Sequence, residues 1–189
     1  MNKKIDFDYY ANYFAMIGER LVNTEKYIAF EKKNLETYSL EFASIINDCG
    51  SLINGFCTEL CKSERKTLFK EKKKGQRYNI NDYNKYILNK YSQFISYCVH
   101  CGGVIILPWE QLKISEKQIP LWWNEYNKVK HAGKSGFKKA TLKTAISCMA
   151  GMFSLLCMYD IERFGTRMSN LRGFFRFGGN YNKVVSWEC

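Results

Sequence analysis

The chain has 189 residues, 46% hydrophobic, 16% aromatic and 25% charged. That length suits one domain with room for a sizeable core, and only two prolines, Pro108 and Pro120, argue against a collagen-like or disordered chain. The net charge of +11 is concentrated in two blocks: 62–77 has eight basic and two acidic residues, and 128–143 has six lysines and no acid.

In chain order, residues 7–22 read as a first helix, with Tyr10, Phe14, Ile17 and Leu21 at helical spacing. Residues 24–35 are ambiguous, with Tyr27–Phe30 a candidate extended stretch. Ser39 suits an N-cap for a long helix over 40–62, where Phe42, Ile45, Ile46, Cys49, Leu52, Ile53, Phe56, Cys57 and Leu60 keep the helical period. The 62–77 block is a polar helix end or a loop. Residues 80–97 return to helical spacing, and Gly102-Gly103 is expected to stop that helix. The stretch 104–107 before Pro108 then reads as a short buried strand. Pro120 sits near the first turn of another helix, running to about His131 and breaking at Gly133–Gly136. The last long helix is expected over 137–159, its second half apolar all round and therefore central to a bundle. Its uncharged run, Thr144–Tyr159, is sixteen residues, short of the roughly 18 expected of a membrane span. The N-terminus has acids where a signal peptide has its apolar stretch, so a cytoplasmic protein without membrane contact is expected. Residues 1–160 are read as one helical domain. Residues 161–189 form a basic, aromatic tail expected to pack on it, its Arg163, Arg167, Arg172 and Arg176 interleaved with Phe174, Phe175, Phe177, Tyr181 and Trp187.

Two basic blocks on a near-neutral body suit a polyanionic partner, of which nucleic acid is the commonest. Lysine runs also serve as solvated faces. The eight cysteines are expected to be reduced thiols, several filling apolar helix positions. A sharper alternative is a zinc site from Cys57, Cys61, Cys98 and Cys101, with His100 nearby. One CxxC and one helical i,i+4 pair are thin grounds for it, and neither a metal nor another cofactor enters the expectation.

The stretch LWWNEYNKVKHAG carries the chemistry. On a helical wheel Trp122, Tyr126 and Val129 fall on a core side. Asn124, Asn127, Lys128 and His131 fall opposite, with Lys130 and Lys134 nearby. Asn127 and His131, four apart, are surface neighbours. An imidazole there can take a proton from a ribose 2′-hydroxyl or return one to the leaving oxygen near neutral pH. The adjoining ammonium groups can hold phosphate and offset transition-state charge. The plainer alternative is a surface histidine at a helix C-terminus, where the dipole favours positive charge. The Gly133-Lys134-Ser135 triplet is no phosphate-binding loop, because position 128 is Lys where that pattern needs Gly.

TYSLEFASIINDCGSLINGF at 37–56, VIILPWEQL at 104–112, PLWWNEYNKVKHAG at 120–133 and FKKATLKTAISCMAGMFSLL at 137–156 together resemble bacterial and phage-encoded members of the HEPN superfamily. The resemblance implies an all-α bundle of four to five helices with a short β-like insertion near 104–107, dimerising through the histidine-bearing helix. Many members are metal-independent ribonucleases of toxin–antitoxin and anti-phage systems. Their usual motif is Arg, a polar residue, three variable residues and His. Asn127 and His131 match its polar residue and His, whereas Tyr126 stands in the place of the Arg. Lys128 or Lys130 is a substitute cation, though without arginine's bidentate fork, and Asp48 is a candidate for the acid of the facing helix.

The resulting expectation is an RNA-binding, RNA-cleaving homodimer. His131 serves as general acid/base, Asn127 orients it or the phosphate, and Lys128, Lys130 and Lys134 bind phosphate. The competing expectation is a non-catalytic scaffold that dimerises or binds a protein partner, such as an antitoxin or the host target of a phage inhibitor.

Overall fold

The computed structural model describes residues 5–64, 68–69, 76–131, 133–165 and 175–177. Much of the 62–77 basic block and most of the tail, including Arg167, Arg172, Phe174, Tyr181 and Trp187, lie outside the described residues. The protein is mainly helical with a small three-stranded sheet. Its helices are α1 (Phe7–Thr24), α2 (Leu40–Ser63), α3 (Ile80–Lys90), α4 (Leu121–His131), the short α5 (Gly133–Phe137) and α6 (Leu142–Phe164).

Local chemistry sets most of the starts. The Asp6 side chain accepts from Tyr9 N at 3.1 Å to cap α1, and the Ser39 hydroxyl accepts from Phe42 N at 3.0 Å to cap α2. Asn79 and Asp82 form a reciprocal capping box at α3. The Pro120 carbonyl accepts from Trp123 N and Asn124 N at the head of α4. In α1 the buried residues are Tyr10, Phe14, Ile17 and Leu21, the stripe that the spacing predicts.

Three expectations change. α3 ends at Lys90, and a 3-10 turn over Ser92–Ser96 follows. Tyr91 leaves the helical region at φ −133° and carries its hydroxyl to Glu162 of α6, so a tertiary contact ends the helix. Gly102-Gly103 therefore stops no helix. It turns a hairpin between β1 (Val99–Cys101) and β2 (Val104–Ile106), with Gly102 at φ +57°, where an L side chain is strained. The third strand, β3 (Phe175–Phe177), pairs with β1 and gives the order β2-β1-β3. α4 ends at His131 and Gly133 takes φ +53°, so the expected break is there, and the short α5 rather than a loop follows it.

α6 begins at Leu142 rather than Phe137. Thr141 caps it by accepting from Thr144 N, and the preceding backbone is pinned to residues 35–39 by bonds that include Leu142 N to Thr37 O at 2.8 Å. Gly165, at φ +61°, closes it in the left-handed conformation. α6 packs against α1, α2 and α4, and it is buried all round from Ala145 to Tyr159 apart from the half-buried Ser147. Leu142–Arg163 is long and apolar enough to span a bilayer by composition, yet 89% of its most apolar window is buried inside the bundle.

Six cysteines (Cys49, Cys57, Cys61, Cys101, Cys148 and Cys157) are buried free thiols. Cys98 is disulfide-bonded, which corrects the expectation of reduced thiols throughout and removes one thiolate from the zinc alternative. No group of three or more His, Cys, Asp or Glu among the described residues is placed to hold a metal.

Candidate nucleic-acid interface

α4 is anchored through its indoles. Trp122 Nε1 donates to Pro108 O at 2.7 Å, and its ring meets Trp109 edge-on at a centroid distance of 5.2 Å. Trp109 Nε1 in turn donates to Gly151 O of α6 at 3.3 Å. Trp123 packs edge-on against Tyr83 of α3 and against Tyr126 one turn along α4. The buried stripe is therefore Trp122, Trp123 and Tyr126, with Val129 only half-buried.

The Tyr126 ring packs closely against the backbone of α2 at Gly50. A Cβ built on Gly50 would sit 2.4–2.7 Å from three Tyr126 ring atoms, closer than any van der Waals contact permits. Gly50→Ala should therefore cost about 2–3 kcal/mol of stability through overpacking, read as a lower urea midpoint. Trimming the ring in a Gly50→Ala/Tyr126→Leu double variant should return part of that loss. A Gly50→Ala protein as stable as the parent would show that the helices do not approach this closely.

Beside that contact lies a cleft of about 650 Å³ between α2 and α4, bounded also by Tyr10 of α1 and by residues 76–78. α4 contributes Trp123, Tyr126, Asn127 and Lys130 to its lining, and α2 contributes Asn54, Gly55, Thr58, Glu59 and Lys62. Lys130 Nζ lies 5.5 Å from the Tyr126 ring centroid and donates to its hydroxyl at 3.3 Å. The Tyr83 hydroxyl, just beneath, donates to Asn54 Oδ1 at 2.8 Å. Burial raises the phenols of Tyr10 and Tyr83, and neighbouring Glu59 adds to the rise at Tyr10. Both hydroxyls therefore stay neutral across physiological pH.

The structure divides the residues expected to work together. Asn127 and Lys130 face the cleft, and Asn127 is half-buried rather than on the solvent side of the wheel. His131 is exposed at the end of α4 and is not among the cleft-lining residues. Lys128 points elsewhere and pairs with Glu125 at 2.8 Å, and Lys139 approaches the same carboxylate at 3.9 Å. Lys134 is exposed on α5. Asp48 does not serve as a facing acid: Arg20 of α1 holds it at 2.6 Å while bonding Glu41 and Ser44 as well. Gly50 is two helical steps from Asp48, a rotation of about 200°, so α2 turns the Asp48 carboxylate away from α4.

Sequence reasoning missed Asn54, Thr58 and Lys62 as a set, although a signal was present. Asn47, Ser51, Asn54, Thr58 and Lys62 recur at helical spacing along α2, a polar stripe beside the apolar one. Arg77 belonged to the 62–77 basic block but had no feature of its own. The assembled cleft is lined by three cations, the carboxylate of Glu59, side-chain amides and aromatic residues. Glu59 is the carboxylate in this lining, and His131 is not part of it. Searches against protein-family models, curated proteins and solved structures find no match.

Proposed function

We propose that this protein is a HEPN-like RNA-binding protein of a prokaryotic or phage conflict system. RNA lies along the C-terminal end of α4 and the following lysines, and His131 acts as general acid/base in its metal-independent cleavage. The observation that carries this reading is the charge of that surface: Lys128, Lys130, His131, Lys134, Lys138 and Lys139 are all exposed within twelve residues, with one half-buried acid, Glu125, beneath them. Ammonium groups so placed would neutralise successive phosphates and release counterions. A single α4 supplies one imidazole, so the reading includes a homodimer that brings two such faces together.

One observation favours the second reading, a non-catalytic scaffold that dimerises or holds a protein partner. Tyr126, in the place of the motif's arginine, is 3% exposed and packed on Gly50, so it can offer nothing to a phosphate.

Incubating the purified protein with tRNA and total RNA in excess EDTA, beside His131→Ala, separates the two readings. Under the first, the parent cleaves and the variant loses at least about a hundredfold in rate, the usual weight of a general acid/base. Binding without cleavage by either protein would leave the RNA interface and remove the enzyme. Equal cleavage by both would place the activity elsewhere than His131.

A further inference from the structure

β1 is paired on both edges, by β2 and by β3, and its residues divide between two faces. Val99 and Cys101 are both 0% exposed and lie on the inner face. Strand side chains alternate, so the half-buried His100 takes the other face. Cys98, two residues before His100, shares that face, its Sγ 4.0 Å from His100 Nε2. Cys98 and Cys101 therefore stand on opposite sides of the sheet, and the CxxC of the sequence is not a bonded pair. Cys101 is a free thiol, whereas Cys98 is disulfide-bonded.

The other half of that bond comes from elsewhere in the chain. Of the eight cysteines, six are buried free thiols, and the one that remains besides Cys98 is Cys189, outside the described residues. β3 runs antiparallel to β1 with Phe177 opposite Val99, so the chain that follows α6 leaves β3 beside residue 98.

A disulfide opens when a thiolate attacks one sulfur and the other departs, and a departing sulfur of lower thiol pKa leaves faster. Cys98 is 1% exposed, which makes it the sulfur that departs rather than the one attacked. An imidazole N–H beside a sulfur stabilises its thiolate, and His100 is in that position. The free thiols are poor competitors for the bond, since burial pushes those of Cys49, Cys57 and Cys101 up.

We propose that the Cys98 disulfide is an exchangeable bond, opened by small thiols of the glutathione class and closed again by their disulfides. On opening, a small-molecule thiolate attacks the partner sulfur, and the electron pair of the broken S–S bond goes to Cys98 Sγ beside His100. A second thiolate attacks the resulting mixed disulfide, frees the partner cysteine as a thiolate and departs within the oxidised small-molecule disulfide. Two electrons thus pass from two small thiols to the protein, and closing is the reverse. The exchange decides whether the covalent tie at β1 is present, and it does not depend on RNA binding.

The test equilibrates the whole protein in buffers of set reduced-to-oxidised glutathione ratio, quenches with acid, alkylates and maps the peptides by mass spectrometry. In oxidised glutathione the expected map joins the Cys98 peptide to the Cys189 peptide. In millimolar reduced glutathione both become alkylatable while circular dichroism shows the fold retained. His100→Gln, folded by the same measure, should open at least about threefold more slowly, the effect of roughly one pKa unit in the leaving thiol.

A bond that survives hours in millimolar reduced glutathione would overturn the proposal and make the disulfide a fixed cross-link. Cys98 alkylated after oxidation, or joined to any cysteine other than Cys189, would overturn it as well. Equal opening rates for the parent and a folded His100→Gln would overturn the part assigned to His100. Should that variant not fold, the peptide maps of the parent still decide whether the bond exchanges.

Discussion

Tyr126→Arg is expected to cost about 3–5 kcal/mol of stability, the scale for an uncompensated charge in a core, and to create no ribonuclease. The substitution restores the arginine of the motif that the α4 sequence resembles, so a purely sequence-based reading would anticipate a gain of activity. The structure argues the reverse. Tyr126 is 3% exposed, its ring lies on the Gly50 backbone, and Trp123 closes its other side. A guanidinium there would lose water at a position built for an aromatic ring, while Asp48 already serves Arg20 and one Glu125 oxygen already serves Lys128. It would also exchange a hydroxyl that accepts from Lys130 for a second positive charge one turn away. The check is a urea melt followed by circular dichroism. A variant that folds as well as the parent and cleaves RNA faster would show that α4 can rotate residue 126 into solvent.

Stability should fall steeply as pH rises above about 8.5, ending in cooperative unfolding well before pH 12 under reducing conditions. The core holds the phenols of Tyr10, Tyr83, Tyr86 and Tyr91, all raised first of all by burial, with Tyr86 and Glu162 adding to the rise at Tyr91. Burial likewise raises the thiols of Cys49, Cys57 and Cys101. In the unfolded chain thiols release their protons near pH 8.5 and phenols near 10, while the folded protein retains them. Unfolding is then coupled to proton release, so the folded state loses ground as pH rises. The stabilisation is complete below the unfolded values and disappears as pH climbs through the raised ones. Each group adds up to about 1.4 kcal/mol per pH unit once its unfolded form ionises. Thermal melts from pH 7 to 11 with excess reductant measure the slope. A flat profile to pH 10.5 would mean that these side chains ionise inside the folded protein and are less enclosed than their positions indicate.

Most of the helical framework can be read directly from the residues. α1 and α2 begin where Asp6 and Ser39 cap them, and their apolar stripes are the buried ones, because periodic burial and capping involve only neighbours in the chain. The apolar second half of α6 likewise announces a central helix, and it is one. Glycine pairs punctuate hairpins and helix ends alike, so Gly102-Gly103 reads in sequence as a helix stop, whereas in the fold it turns a hairpin. The deciding event, Tyr91 reaching Glu162, joins residues 71 positions apart.

The candidate site is legible only in part, for the same reason. The sequence by itself places Asn127, Lys130 and His131 on one helix, α4, and marks the charge around them. It could not say which of these would share a cavity. That was decided by the turn of α4 that seats Tyr126 on Gly50, carries Asn127 and Lys130 over α2, and leaves His131 outside. Helical periodicity ranks the faces of one element, whereas a cleft belongs to several. Lys62, Arg77 and Lys130 are distant in sequence, and only the packing of bulky aromatics against a residue without a side chain brings their charges to one place.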